Sequence, residues 1–158
     1  MTGAVLGLHL SGPYANMDTM RDRRNRESID RIKENLTPLL NEEGLRLIVL
    51  FGSLAAGKTH SGSDVDLGFL FDGTVDLVGL TNKVMRLLQM NEVDVVDLRR
   101  TNPVLRLSAV KNGLLLYERE PGMFNQFYSL ALRRYLDTRK FRTAQETATM
   151  RFLELRGL

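Results

Sequence analysis

The 158-residue chain has no cysteine, so it forms no disulfide and offers no thiolate to a metal. That fits a reducing compartment, and the cytoplasm is the expected location. No apolar run reaches the roughly eighteen residues that would mark a membrane span, so no membrane partner is expected. Met1 to Pro13 are mildly apolar but lack the basic start and small-residue cleavage site of a secretory signal. Repeats and low-complexity linkers are absent as well. Net charge is small, at +3, which permits a polyanionic partner without requiring one. What remains is an ordinary globular composition, 43% hydrophobic and 26% charged, long enough to bury one core. Residues 1–20 precede the first charged segment and are expected to be a flexible N-terminal extension. Residues 21–120 read as the main domain, and 121–158 as a helical segment packed on it.

The pattern alternates helices and strands, predicting an α/β (α+β) fold with a small mixed sheet flanked by helices. Ile29, Ile32, Leu36, Leu39 and Leu40 recur at helical spacing, giving an amphipathic helix from about Asp22 to Glu43, with Pro38 kinking or restarting it and Gly44 as its end. Two apolar strands follow, Leu45–Phe51 and Val65–Phe71. A helix is predicted from about Val75 to Met90, then a valine-rich strand over Glu92–Leu98. Asn102-Pro103 opens another helix and Gly113 closes it, before a short strand at Leu114–Tyr117. From Pro121 onward the chain reads as helical, with Phe124, Phe127, Leu130 and Tyr135 as candidate core positions.

Chemistry concentrates between the first two strands. The first runs straight into Gly52-Ser53, and ten residues later come Asp64 and Asp66. In a strand, residues i and i+2 share a face, so these carboxylates project side by side and repel unless a cation lies between them. Mg²⁺ takes such hard oxygen ligands together with substrate phosphates. Gly52 lets the backbone approach a phosphate, and Ser53 adds a hydroxyl. Two ions bridging a triphosphate require a third carboxylate. Asp94 and Asp97 in the valine-rich strand are the candidates. By period two they face opposite ways, and Asp94, deeper in the strand, is favoured.

A rival reading exists. Gly52 to Thr59 matches G-x-x-x-x-G-K-[ST], a phosphate-binding P-loop. That motif must open a helix, whereas His60-Ser61-Gly62-Ser63-Asp64 has turn composition and leads into a strand. The carboxylate reading is preferred.

Gly52-Ser53, the spacer, Asp64-Val65-Asp66 and Val93-Asp94-Val95-Val96 together resemble the DNA polymerase β superfamily, and within it the minimal nucleotidyltransferases. Val96-Asp97-Leu98-Arg99-Arg100 and Gly113-Leu114-Leu115-Leu116-Tyr117 narrow the likeness to the antitoxin branch of MntA–HepT toxin–antitoxin pairs. The resemblance implies a polymerase-β-like fold, and AMP transfer from ATP to a hydroxyl of a HepT-like toxin. It also implies metal binding by Asp64, Asp66 and Asp94, with Asp94 beside the attacking group. Nucleotide contacts are implied for Gly52 and Ser53, with Lys58 and Ser63 as further candidates in the same loop. The family usually has Arg where Ala56 stands here, and Lys58 cannot reproduce a bidentate fork. A small-molecule transferase, acting for instance on an aminoglycoside, is the second reading, although little chain is left for an acceptor pocket. A non-catalytic antitoxin is the third. Homo- or hetero-oligomers are compatible with all three.

The other charged segments have simpler readings. Arg21, Arg23, Arg24 and Arg26 read as a solvated helix start, and Arg133, Arg134, Arg139, Lys140 and Arg142 as a solvated face that an acidic toxin surface would suit. Without interleaved exposed aromatics, direct nucleic-acid binding is not expected. Phe124, Phe127 and Tyr128 read as core, and His60 as a solvated loop residue.

Overall fold

A computed structural model describes residues 15–57 and 64–157, with side chains from Arg23 onward. Four strands form one mixed sheet in the order β3-β2-β1-β4, where β1 is Leu45–Phe51, β2 Val65–Phe71, β3 Val93–Asp97 and β4 Leu114–Glu118. β1 lies antiparallel to both β2 and β4, while β2 and β3 are parallel. The parallel pair needs a crossover, which helix α3 (Leu77–Leu88) supplies. Asp76 caps α3 by accepting from the Gly79 N–H at 3.1 Å.

The two sheet faces carry separate cores because both sets of alternate side chains are apolar. Ile48, Leu50, Val65, Leu67 and Phe69 pack beneath α1 (Ala15–Asn35), the 3₁₀ turn Thr37–Asn41 and α3. Leu47, Val49, Phe51 and Leu70 pack beneath α4 (Pro103–Asn112) and α5 (Met123–Asp137). Burial on both sides explains why β1 and β2 read as continuous hydrophobic runs. Glycine is required where these layers meet most tightly. A Cβ on Gly68 would lie 2.7 Å from the Leu98 side chain, itself fully buried.

The first helix differs from expectation. It spans Ala15–Asn35, earlier at both ends than predicted, and Thr37–Asn41 continues as a 3₁₀ turn with Pro38 in its first turn. Proline's fixed φ suits that position, so of the two expected outcomes, a kink or a restart, Pro38 takes the restart. Residues 15–20, expected in a flexible extension, are helical; residues 1–14 lie outside the described residues. The C-terminal segment is two helices, α5 and α6 (Arg139–Leu155). Met123, Phe127 and Ala131 of α5 are buried, and Phe124, Tyr128 and Tyr135 pack partly against them. Leu130, a candidate core residue, instead points outward with 42% exposure. No residue of α6 is buried.

Candidate active site

Strand register assembles the site. Phe51 at the end of β1 pairs with Asp66 of β2, and Asp66 pairs in turn with Asp94 of β3. Paired residues in adjacent strands project to the same face, so these two carboxylates are neighbours. Asp64 stands just before β2 and is exposed, Asp66 is half-buried, and Asp94 is exposed. The Asp66 carboxyl is held above its ordinary range, first by burial and then by the negative charges of Asp94 and Asp64. Those two carboxylates therefore act electrostatically on the third.

Asp97 is placed elsewhere. It pairs with Phe69, three residues further along the strand from the Asp66 pair, and is buried. There it accepts a hydrogen bond from the Arg99 N–H at 2.8 Å and holds the turn after β3. The buried Arg106 guanidinium ties the same turn by donating to the Arg99 carbonyl at 2.5 Å and the Thr101 carbonyl at 3.1 Å. Burial and nearby Arg134 lower the Arg106 pKa, partly countered by Asp97.

The chain leaves β1 through Gly52, which has φ +73° and opens the four-residue helix α2, Gly52–Ala55. A Cβ at Gly52 would fall 2.8 Å from Asp66 Cγ and collide with its Oδ2. Only glycine fits both this conformation and this approach, so the β1–α2 corner lies directly against the central carboxylate. Ser53 is half-buried on α2, and Leu54 anchors it in the core. Lys58, Ser63 and His60 lie outside the described residues. The P-loop reading fails on topology. β1 and β2 are antiparallel neighbours, and α2 ends at Ala55, before the lysine of the motif. A long helix after the glycines and a parallel strand beyond it are both required.

One neighbour was not evident from the sequence. Asn25 of α1 reaches the loop after α2, its amide nitrogen 3.9 Å from where a Cβ on Gly57 would sit. Its Oδ1 is buried without a hydrogen-bond partner among the described residues. A lone Asn in a polar helix carries no sequence signal for this placement.

Among the described residues, no group of three or more His, Cys, Asp and Glu side chains is arranged to hold an ion by itself. The donor set nevertheless fits Mg²⁺. It is all oxygen, its central member carries unrelieved like-charge repulsion, and Mg²⁺ is usually held by one or two carboxylates with substrate phosphates completing the shell.

A mixed four-stranded sheet between helices, with a glycine corner set against paired strand carboxylates, defines a nucleotidyltransferase-type scaffold. The chain belongs to the family described as Polymerase beta, Nucleotidyltransferase, which matches residues 34–122. Protein adenylyltransferase MntA of Shewanella oneidensis is 38% identical over 76 residues, 46% of this chain and 54% of that protein, so the match spans about half of the relative's length. A toxin–antitoxin crystal structure with AMP-PNP superposes with a TM-score of 0.66 at 30% identity, covering 77% of this chain and 98% of that one. A structure of tri-AMPylated Shewanella oneidensis HEPN toxin in complex with MNT antitoxin gives 0.63 at 26% identity, covering 80% and 98%.

Proposed function

We propose that this chain transfers an adenylyl group from ATP to a hydroxyl of a HepT-like toxin partner and thereby silences it. The observation that carries the reading is the Phe51–Asp66–Asp94 register, which gathers the glycine corner and the strand carboxylates at one place. The relatives solved with AMP-PNP and with an AMPylated toxin support the nucleotide and the acceptor class. The toxin hydroxyl attacks the α-phosphorus of ATP, the bond to the bridging oxygen of the β-phosphate breaks, and pyrophosphate leaves. Asp94 takes the hydroxyl proton as the new P–O bond forms. Gly52 and Ser53 orient the triphosphate, with Lys58 and Ser63 as further contacts from the same loop. Asp64, Asp66 and Asp94 would hold Mg²⁺, which when bound neutralises phosphate charge. Positioning and charge neutralisation carry most of such a reaction.

Ala56 favours a second reading, neutralisation of the toxin by binding alone, because the usual arginine at this position is missing. Intact mass spectrometry separates the two. Incubation of the toxin with this protein, ATP and Mg²⁺ is expected to add one or more AMP units, and the Asp64→Asn/Asp66→Asn variant to add none. A stable complex without any mass change would replace transfer by binding alone.

A further inference from the structure

The inward stripe of α1 continues past its last apolar residue. Ile32 and Leu36 are buried against the sheet, and Ile29 packs partly with them. Asn25 stands one helical turn before Ile29 and so falls on the same stripe. Of residues 23–28 it alone is not exposed. A carboxamide thus holds an inward place that the pattern gives to an aliphatic side chain.

Folding alone does not account for it. The Asn25 Oδ1 is buried without a hydrogen-bond partner among the described residues, and such an oxygen costs free energy that a leucine would avoid. What the amide gains is an approach to the turn that closes α2. Its Nδ2 lies 3.9 Å from where a Cβ on Gly57 would sit.

That turn leads back to the site. Gly57 has φ +67°, and its N–H donates to the Leu54 carbonyl at 3.2 Å. The Ala56 N–H donates to the Gly52 carbonyl, also at 3.2 Å. These bonds span α2 from the Gly57 turn to the Gly52 corner, which lies against Asp66. A shift at Gly57 is therefore passed to Gly52 and Ser53 within one turn of chain. Asn25 meets this turn from a helix anchored by Ile32 and Leu36, so its side chain is a fixed stop beside a short, polar-ended element.

We infer that Asn25 is a positioning residue for nucleotide transfer, bracing the turn at Gly57 and so fixing the corner that orients the triphosphate. The inference rests on the proposed function for that use of the corner.

The test uses the full chain with two substitutions. Asn25→Leu keeps the shape and removes both polar atoms, and Asn25→Ala removes the contact without adding bulk. In both, hydrogen exchange at the Ala56 and Gly57 amides is expected to quicken about tenfold while exchange in β1 and β2 stays unchanged. AMP-PNP with Mg²⁺, titrated in the absence of toxin, is expected to bind about tenfold more weakly, since a displaced corner orients the triphosphate poorly. In transfer assays KM for ATP should rise by the same factor and kcat stay within about twofold, because contacts made equally in ground and transition states act on binding. The melting temperature of Asn25→Leu should hold or rise. Wild-type exchange and nucleotide affinity in both variants overturn the assignment. Weaker binding that merely tracks a fallen melting temperature assigns Asn25 to folding and overturns it too. A wild type that binds AMP-PNP but leaves the toxin unmodified removes the proposed function, and exchange with AMP-PNP affinity still decides the role of Asn25. A wild type that binds no AMP-PNP removes both.

Discussion

Two aspartates three positions apart on one strand are placed differently, because strand geometry sends them to opposite faces. Asp94 shares its face with Asp66 and Val96, whereas Asp97 is buried and accepts from the Arg99 N–H. Asp94→Ala should therefore abolish AMP transfer and leave the melting temperature essentially unchanged. Asp97→Ala should retain chemistry but lose about 1–3 kcal/mol of stability, the usual effect of orphaning a buried polar partner. Denaturant unfolding beside transfer assays reads both, and the reverse pattern would exchange the two roles. Asp66 makes a second prediction at this scale. Its carboxyl holds a proton more tightly in the fold than its ordinary value of 3.8. Such a group contributes stability below its unfolded pKa and loses it as pH rises through the raised folded value. In metal-free protein at pH 7, Asp66→Asn should thus melt above the wild type. The gap should shrink on acidification as the wild-type carboxyl takes up its proton; a gap that stays constant would show that Asp66 is not perturbed.

At the scale of elements, β1 and β2 match their predicted bounds because buried apolar runs closed by Gly52 and Asp72-Gly73 leave little choice. The i, i+2 spacing made the carboxylates legible, and period two separated Asp94 from Asp97. The start of α1 was not legible, since the charged stretch at 21–28 separates Ala15, Met17 and Met20 from the helical spacing that begins at Ile29. Nor could spacing show that Leu130 faces outward, because a helical period reveals a stripe without saying which side the sheet occupies. The Gly52–Asp66 and Asn25–Gly57 approaches are tertiary and have no local signature. The β2–β3 seam supplies a test of packing. Gly68→Val should destabilise by about 1–3 kcal/mol through overpacking against Leu98, measured by urea unfolding. An unchanged midpoint would mean that Leu98 swings aside freely.

For the molecule as a whole, α1 and α3 cover one sheet face and α4 and α5 the other, and the carboxylates lie on the α4 and α5 side, beyond Gly68 and Leu70. A ligand bound only by the folded state stabilises it in proportion to occupancy. Mg²⁺ with AMP-PNP at about a hundredfold over Kd should add about 2.7 kcal/mol, seen as a raised melting temperature. The Asp64→Asn/Asp66→Asn variant should show no such rise, and an equal rise there would place the nucleotide elsewhere.

The parallel register of β2 and β3 has a consequence for inheritance. Sliding β3 by one residue would turn Asp94 into the core under α3 and lift Val93 or Val95 into its place, so that a deletion inside the strand damages folding and chemistry together. Insertions between Gln89 and Glu92 are absorbed by the loop before the strand begins. Lineages of this chain are therefore expected to vary that connection more readily than the strand, and to lose the proposed transfer while keeping the fold only through exchanges of single side chains.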